Sequence, residues 1–141
     1  VVAERRGNAI HITLTPTRRG HAFPTGDLFR RLELSAESVG PDYMVLGADQ
    51  RYLARHFEPR PHHVGRRLVR DDRVRDGPVT VILRPAAAEG RPIAWRVAYQ
   101  RVAHPTGKDA RRAEVEGEIE LAAGMLPPRG AMTTGSQGER R

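Results

Sequence analysis

The residues best placed to do chemistry lie in one short loop. Gly20-His21-Ala22-Phe23-Pro24-Thr25-Gly26 sets an imidazole between two glycines and beside a proline. The glycines permit a positive φ or a close approach at either end. Pro24 fixes its own φ and drives Phe23 toward extended backbone, so the loop has few conformations open to it. A histidine held in this way aims a ring nitrogen outward at little entropic cost, which suits ligation of a metal or cofactor. A second reading is also open: the ring bonds to the backbone and braces the loop, while Phe23 and Pro24 plug one end of the fold.

The other candidates carry less. His62-His63 is an adjacent pair, and neighbours on a strand face opposite ways, so the two do not converge on one metal and read as a solvated loop. His56, between Arg55 and Phe57, reads as an exposed strand position; His11 and His104 have no partners at metal-ligand spacing, and there is no cysteine to build a zinc site. Arg66, Arg67, Arg70, Arg73 and Arg75 are interleaved with Asp71, Asp72 and Asp76, the pattern of a solvated, self-paired loop rather than a phosphate-binding stripe. No Gly-x-Ser-x-Gly elbow, phosphate-cradling glycine loop or zinc-protease helix is present, and the serines lack a His/Asp setting. The chain is not expected to be an enzyme.

The elements that must position this loop read as strands, because apolar residues recur with period two. In residues 8–15, Ile10, Ile12 and Leu14 share a face. In residues 28–37, Leu32, Leu34 and Ala36 point inward while Arg31, Glu33 and Ser35 point outward. Short strands are expected at 43–46 and 50–57 around a Gly47-Ala48-Asp49 turn, with a weaker one at 64–69 and an apolar run at 79–83. Residues 92–102 alternate Ile93, Trp95, Val97 and Tyr99 against Ala94, Arg96, Ala98 and Gln100. The cleanest alternation is 113–121, where Val115, Gly117, Ile119 and Leu121 form a packing face. Glu114, Glu116, Glu118 and Glu120 form a face for water or cations. With Pro/Gly punctuation and no helical period, the expectation is an all-β antiparallel β-sandwich of about seven to nine strands. Residues 1–121 form the domain, and residues 122–141 a tail that is flexible or extended across a partner.

Composition sets the class. A length of 141 residues fits one domain, and seven aromatics imply a thin core supplemented by arginine stems lying over apolar surface. No apolar run spans a bilayer. Residues 1–6 lack the apolar stretch of a signal peptide and read as an interior or processed end. The net charge is +7, and Lys108 is the only lysine among 24 cations. Arginine forks favour carboxylates and phosphates, which keeps a basic nucleic-acid-binding domain open as a reading. The scarcity of aromatics near the basic cluster weighs against base stacking.

The loop also carries a family resemblance. The order over residues 7–103 is a strand, the Gly-His loop, Arg31-Leu32-Glu33-Leu34, Arg51-Tyr52-Leu53, Asp72-Arg73-Val74 with Gly77, and Trp95-Arg96-Val97-Ala98-Tyr99. It resembles the carboxy-terminal β-sandwich domain of multihaem c-type cytochromes. Two departures are visible: Thr15-Pro16-Thr17-Arg18-Arg19 stands where the family usually has an Asn, and no Cys-x-x-Cys-His site is present. Without cysteine the chain cannot attach haem c covalently. The resemblance therefore implies a non-haem β-domain or subunit, periplasmic or extracellular, packed against a multihaem cytochrome c polypeptide. The haem c would be carried by that other polypeptide or by a missing part of the chain. In this reading His21 ligates haem iron in trans, Phe23 and Pro24 cover the haem edge, and Arg18 or Arg19 pairs a propionate. From the residues alone, an adhesion or assembly β-sandwich that binds a protein partner without cofactor remains the alternative.

Overall fold

The computed structural model describes residues 1–130. Nine strands follow one another: β1 (Val2–Arg6), β2 (Ala9–Leu14), β3 (Arg30–Val39), β4 (Val45–Leu53), β5 (Arg55–Pro59), β6 (Arg66–Asp71), β7 (Val79–Leu83), β8 (Ile93–Val102) and β9 (Val115–Leu126). Every pairing is antiparallel, in a three-stranded sheet β1-β2-β7, a four-stranded sheet β4-β3-β8-β9 and the β5-β6 hairpin. Among the described residues there is no α-helix, only single 3₁₀ turns at Pro41–Tyr43 and Ala110–Arg112. The all-β sandwich read from the alternation is the observed fold.

The two larger sheets close on the faces that the alternation marked. Ile10, Ile12 and Leu14 of β2 and Leu83 of β7 meet Leu32, Leu34 and Ala36 of β3, with Ile93 and Val97 of β8 and Leu53 of β4. Most of these side chains are completely buried, and each such aliphatic contributes about 1.5–3 kcal/mol relative to exposure. Arg5 of β1 reaches across to donate to the carbonyls of Ala88 at 2.7 Å, Arg91 at 2.5 Å and Pro127 at 3.1 Å.

Four expectations are corrected. Gly47-Ala48-Asp49 is not a turn: β4 runs through it, pairing Gly47 with Ser38 and Asp49 with Ala36. The glycine is there because another segment comes close. A Cβ at Gly47 would lie 2.3 Å from the carbonyl oxygen of Ala86, which also accepts the Ser38 hydroxyl at 2.6 Å. Gly47→Ala is therefore expected to cost about 1–3 kcal/mol in urea unfolding. Gly117→Ala, with open space at its Cβ, should stay within about 0.5 kcal/mol.

The boundary at residue 121 also moves. β9 continues through Ala122 and Ala123 to Leu126, with Gly124 opposite Trp95, Met125 opposite Ala94 and Leu126 opposite Ile93. Leu126 packs on this chain's own core, so residues 122–126 belong to the sandwich and not to a tail across a partner. Residues 131–141 of that expected tail lie outside the described residues.

The apolar face of β9 does not pack as expected. It is the last strand of its sheet, and Val115, Ile119 and Leu121 of that face are exposed. Its glutamate face does meet cations, Glu118 with Arg96 at 2.6 Å and Glu116 with Arg101 at 3.3 Å.

Finally, Arg31 and Glu33 sit on the outward face but are buried. The connection from β8 to β9 folds back over that face, anchored where Phe57 N donates to Thr106 O at 2.8 Å and Ala103 N to Glu114 O at 3.0 Å.

Candidate functional site

The loop at residues 20–26 leaves β2 through Thr15-Pro16-Thr17 and returns into β3. It is fastened at four points. Gly20, at φ +85°, donates its N–H to Asp76 Oδ1 at 3.2 Å. Phe23 makes a two-way backbone bridge with Val74, its N–H to Val74 O at 2.7 Å and the reverse bond at 3.0 Å. The Pro24 carbonyl accepts Arg73 Nη1 at 3.4 Å, and the carbonyl of Gly26, at φ +94°, accepts Arg55 Nη2 at 2.7 Å. Both bracketing glycines thus adopt the positive φ that only glycine takes at no steric cost.

His21 lies between these fastenings with its side chain exposed. Among the described residues its ring makes no hydrogen bond. Phe23 is part-exposed and its ring lies 5.8 Å from that of Tyr99, whose hydroxyl accepts Arg30 Nη1 at 2.5 Å. His21, Phe23 and Arg18 rim a cleft of 410 Å³ whose walls include Leu14, Leu32 and Leu121. An apolar cleft of this size with few polar groups at its mouth suits a flat, largely apolar ligand edge. The other two sequence candidates are placed differently. Pro24 is buried inside the chain and has no surface to offer a ligand edge. Arg19 is exposed but does not line the cleft.

The brace beneath the loop is the Asp71–Arg73 pair. Asp71 accepts Arg73 Nε at 2.9 Å and Nη2 at 2.8 Å, and also pairs with Arg75. The Arg73 fork, with a backbone bond from Arg73 and the Arg75 guanidinium, overrides partial burial and holds the Asp71 carboxyl well below the usual carboxylate range. Arg73 is raised by the same bond. Through Arg73 Nη1 this pair reaches the Pro24 carbonyl. Within the interleaved run Arg70 pairs with Asp72, and Arg73 and Arg75 with Asp71, while Arg67 pairs outside it with Glu58, and residues 66–71 form strand β6 rather than the expected loop.

Asp72 serves another site. It accepts His56 Nε2 and the Ala54 N–H, and pairs with Arg70 at 3.1 Å. Burial opposes ionisation, but these donors outweigh it and lower its pKa. His56 is accordingly half-buried and bonded, at 2.8 Å, rather than an exposed strand position. The group lines a second cleft, of 720 Å³, between β4, the base of the β5-β6 hairpin and residues 107–112. Sequence reasoning did not single out this cleft. Its only trace in the sequence is the one lysine, Lys108, followed by Arg111-Arg112.

Neither His62 nor His63, in the exposed β5-β6 connection, joins a cluster, and no group of three metal-ligating side chains exists among the described residues. Searches against protein-family models, curated proteins and solved structures find no match to this chain, which leaves the geometry of these two clefts to indicate what it does.

Proposed function

We propose that this chain is a non-catalytic β-sandwich domain of a periplasmic or extracellular multihaem cytochrome assembly. In that assembly it offers His21 as an axial ligand to a haem iron anchored elsewhere. One observation carries the reading: an exposed imidazole, free of hydrogen bonds among the described residues, stands on a four-point-fastened loop at the mouth of an apolar cleft. The donor set fits a haem held in trans. A neutral imidazole is a strong iron ligand, Phe23 and the aliphatic walls exclude water from a porphyrin edge, and Arg18 suits a propionate. The haem, when bound, supplies the electron-carrying iron. This chain's residues position the ring, dry its surroundings and set the local charge, which are levers on redox potential.

The exposed apolar residues of β9 favour a second reading, a cofactor-free sandwich that binds a protein partner. A haem c peptide with one open axial position separates the two. Added to the purified chain, it should shift to a six-coordinate, low-spin spectrum with saturation. His21→Ala should weaken that binding at least about tenfold, while the double variant His62→Ala/His63→Ala leaves it unchanged. Equal binding by the wild type and His21→Ala, or none by either, sinks the haem reading and leaves the partner-binding one.

A further inference from the structure

The 720 Å³ cleft holds more cationic side chains than its carboxylates can satisfy. Five cations line it, Arg51, Arg70, Lys108, Arg111 and Arg112, against Asp72 and Asp109. Asp72 is already committed to His56, the Ala54 N–H and Arg70. Asp49, just behind the wall, is within 3.5 Å of Arg51 and 3.8 Å of Arg111. Its oxygens already accept the backbone N–H groups of Gln50 at 2.9 Å and Arg84 at 2.8 Å. Among the described residues Lys108 and Arg112 have no ion-pair partner. Each guanidinium carries five N–H donors, so most donors on this wall face the cleft or water.

The wall is also held in place. Arg31, buried and fixed by Gln100, donates to the Ala110 carbonyl at 2.6 Å from below. Gly107 lies so close to β5 that a Cβ there would be 2.9 Å from the Phe57 carbonyl oxygen. The 108–112 cations therefore stand on backbone docked to the sandwich, and only their side chains are left to order when a ligand enters.

We infer that this cleft binds a small, multiply charged oxyanion, the chemistry shared by phosphate esters and polycarboxylates, with Lys108 and Arg112 as its principal unpaired contacts. Forked donors around one open cleft match several oxygens at once, and bound anion relieves the mutual repulsion of the wall. The site is separate from the His21 cleft and does not depend on what His21 does.

Titration calorimetry tests it with two probes, pyrophosphate and citrate. At low salt at least one should bind with one-site saturation and weaken as salt is raised. Whichever binds more tightly identifies a phosphate or a carboxylate site. Lys108→Ala/Arg112→Ala should weaken that probe at least about tenfold, with an unchanged circular dichroism spectrum since both side chains are exposed. Arg60→Ala/Arg129→Ala removes the same charge from exposed positions outside the cleft and should leave affinity within about twofold. The inference is overturned if neither probe saturates, or if the two double variants weaken binding alike, which would reduce it to the diffuse attraction of a +7 chain.

Discussion

Replacing Arg31 with methionine should lower the melting temperature by about 10 °C, an effect set by one buried guanidinium that ties the outer layer to the sheet. Arg31 is 2% exposed. Its Nε donates to Gln100 Oε1 at 2.8 Å, its Nη1 to Ala110 O at 2.6 Å, and its plane lies 4.1 Å over the Tyr52 ring. Burial pulls its pKa down, opposed by Tyr52, Glu33 and Glu118, and an arginine keeps its charge regardless. Methionine fills much of the same volume, so the loss is polar. Gln100 Oε1 loses its donor while Gln100 Nε2 stays bonded to Glu33 and Glu118, both at 2.6 Å, and Arg96 is left as the cation facing those two carboxylates. Breaking a buried charged network costs about 3–5 kcal/mol, against 0–1 kcal/mol for an exposed pair. Arg101→Met, which removes the half-exposed pair with Glu116, is the matched control and should move the melt by no more than about 2 °C. Thermal denaturation followed by circular dichroism reads both. Amide exchange in residues 103–114 should quicken in Arg31→Met alone, and an unchanged melt would mean that the outer layer is held by its backbone bonds without Arg31.

That network marks where the sequence stops being legible. Alternation in Ile10, Ile12 and Leu14, or in Leu32, Leu34 and Ala36, states directly which face a strand buries, because the pleat makes neighbours alternate. It cannot state whether the opposite face will also be covered. Arg31 and Glu33 read as solvent-facing because charged side chains usually are; Arg31 is bonded to Ala110 of the returning β8–β9 connection, and Glu33 to Arg96 and Gln100 of the neighbouring strand. Gly47 misled for a related reason: local preference says turn, yet the glycine answers to the Ala86 carbonyl, distant in sequence. In β9 the alternation breaks at Leu121, a bulge between Glu120 opposite Ala98 and Ala122 opposite Val97, so the strand's last five residues looked like the start of a tail. Local chemistry fared better at the His21 loop, whose glycines and proline do fix its path. Which of those residues face outward was decided by tertiary fastening through Val74 and Arg73, and Pro24 turned inward.

Acid should expose the Asp71–Arg73 brace beneath that loop. Asp71 is ionised in the folded chain far below the usual carboxylate pKa, while in the unfolded chain it titrates near the ordinary value of about 3.9. Its contribution is therefore complete above about pH 5. As pH falls further the unfolded chain binds the proton first, and stability drops until the folded carboxyl is protonated in turn. Asp72 and Glu118, also held below their ordinary values by His56, Gln100 and arginine partners, add to the slope in the same direction. Urea unfolding between pH 5 and pH 2 should show stability declining with acid in the wild type. In Asp71→Asn the decline should be shallower by up to one proton, or about 1.4 kcal/mol per pH unit. At pH 7 the variant should be weaker by about 2–3 kcal/mol, since Arg73 and Arg75 lose the carboxylate between them. Parallel pH slopes in the two proteins would show that Asp71 carries none of the acid sensitivity. Because Arg73 is the residue that reaches the Pro24 carbonyl, the same variant should also loosen the His21 loop. Its affinity for the haem c peptide should then fall at neutral pH, with the imidazole itself untouched. A variant that loses stability yet binds the peptide as well as wild type would mean that Phe23–Val74 and Gly20–Asp76 hold the loop without help from the arginine.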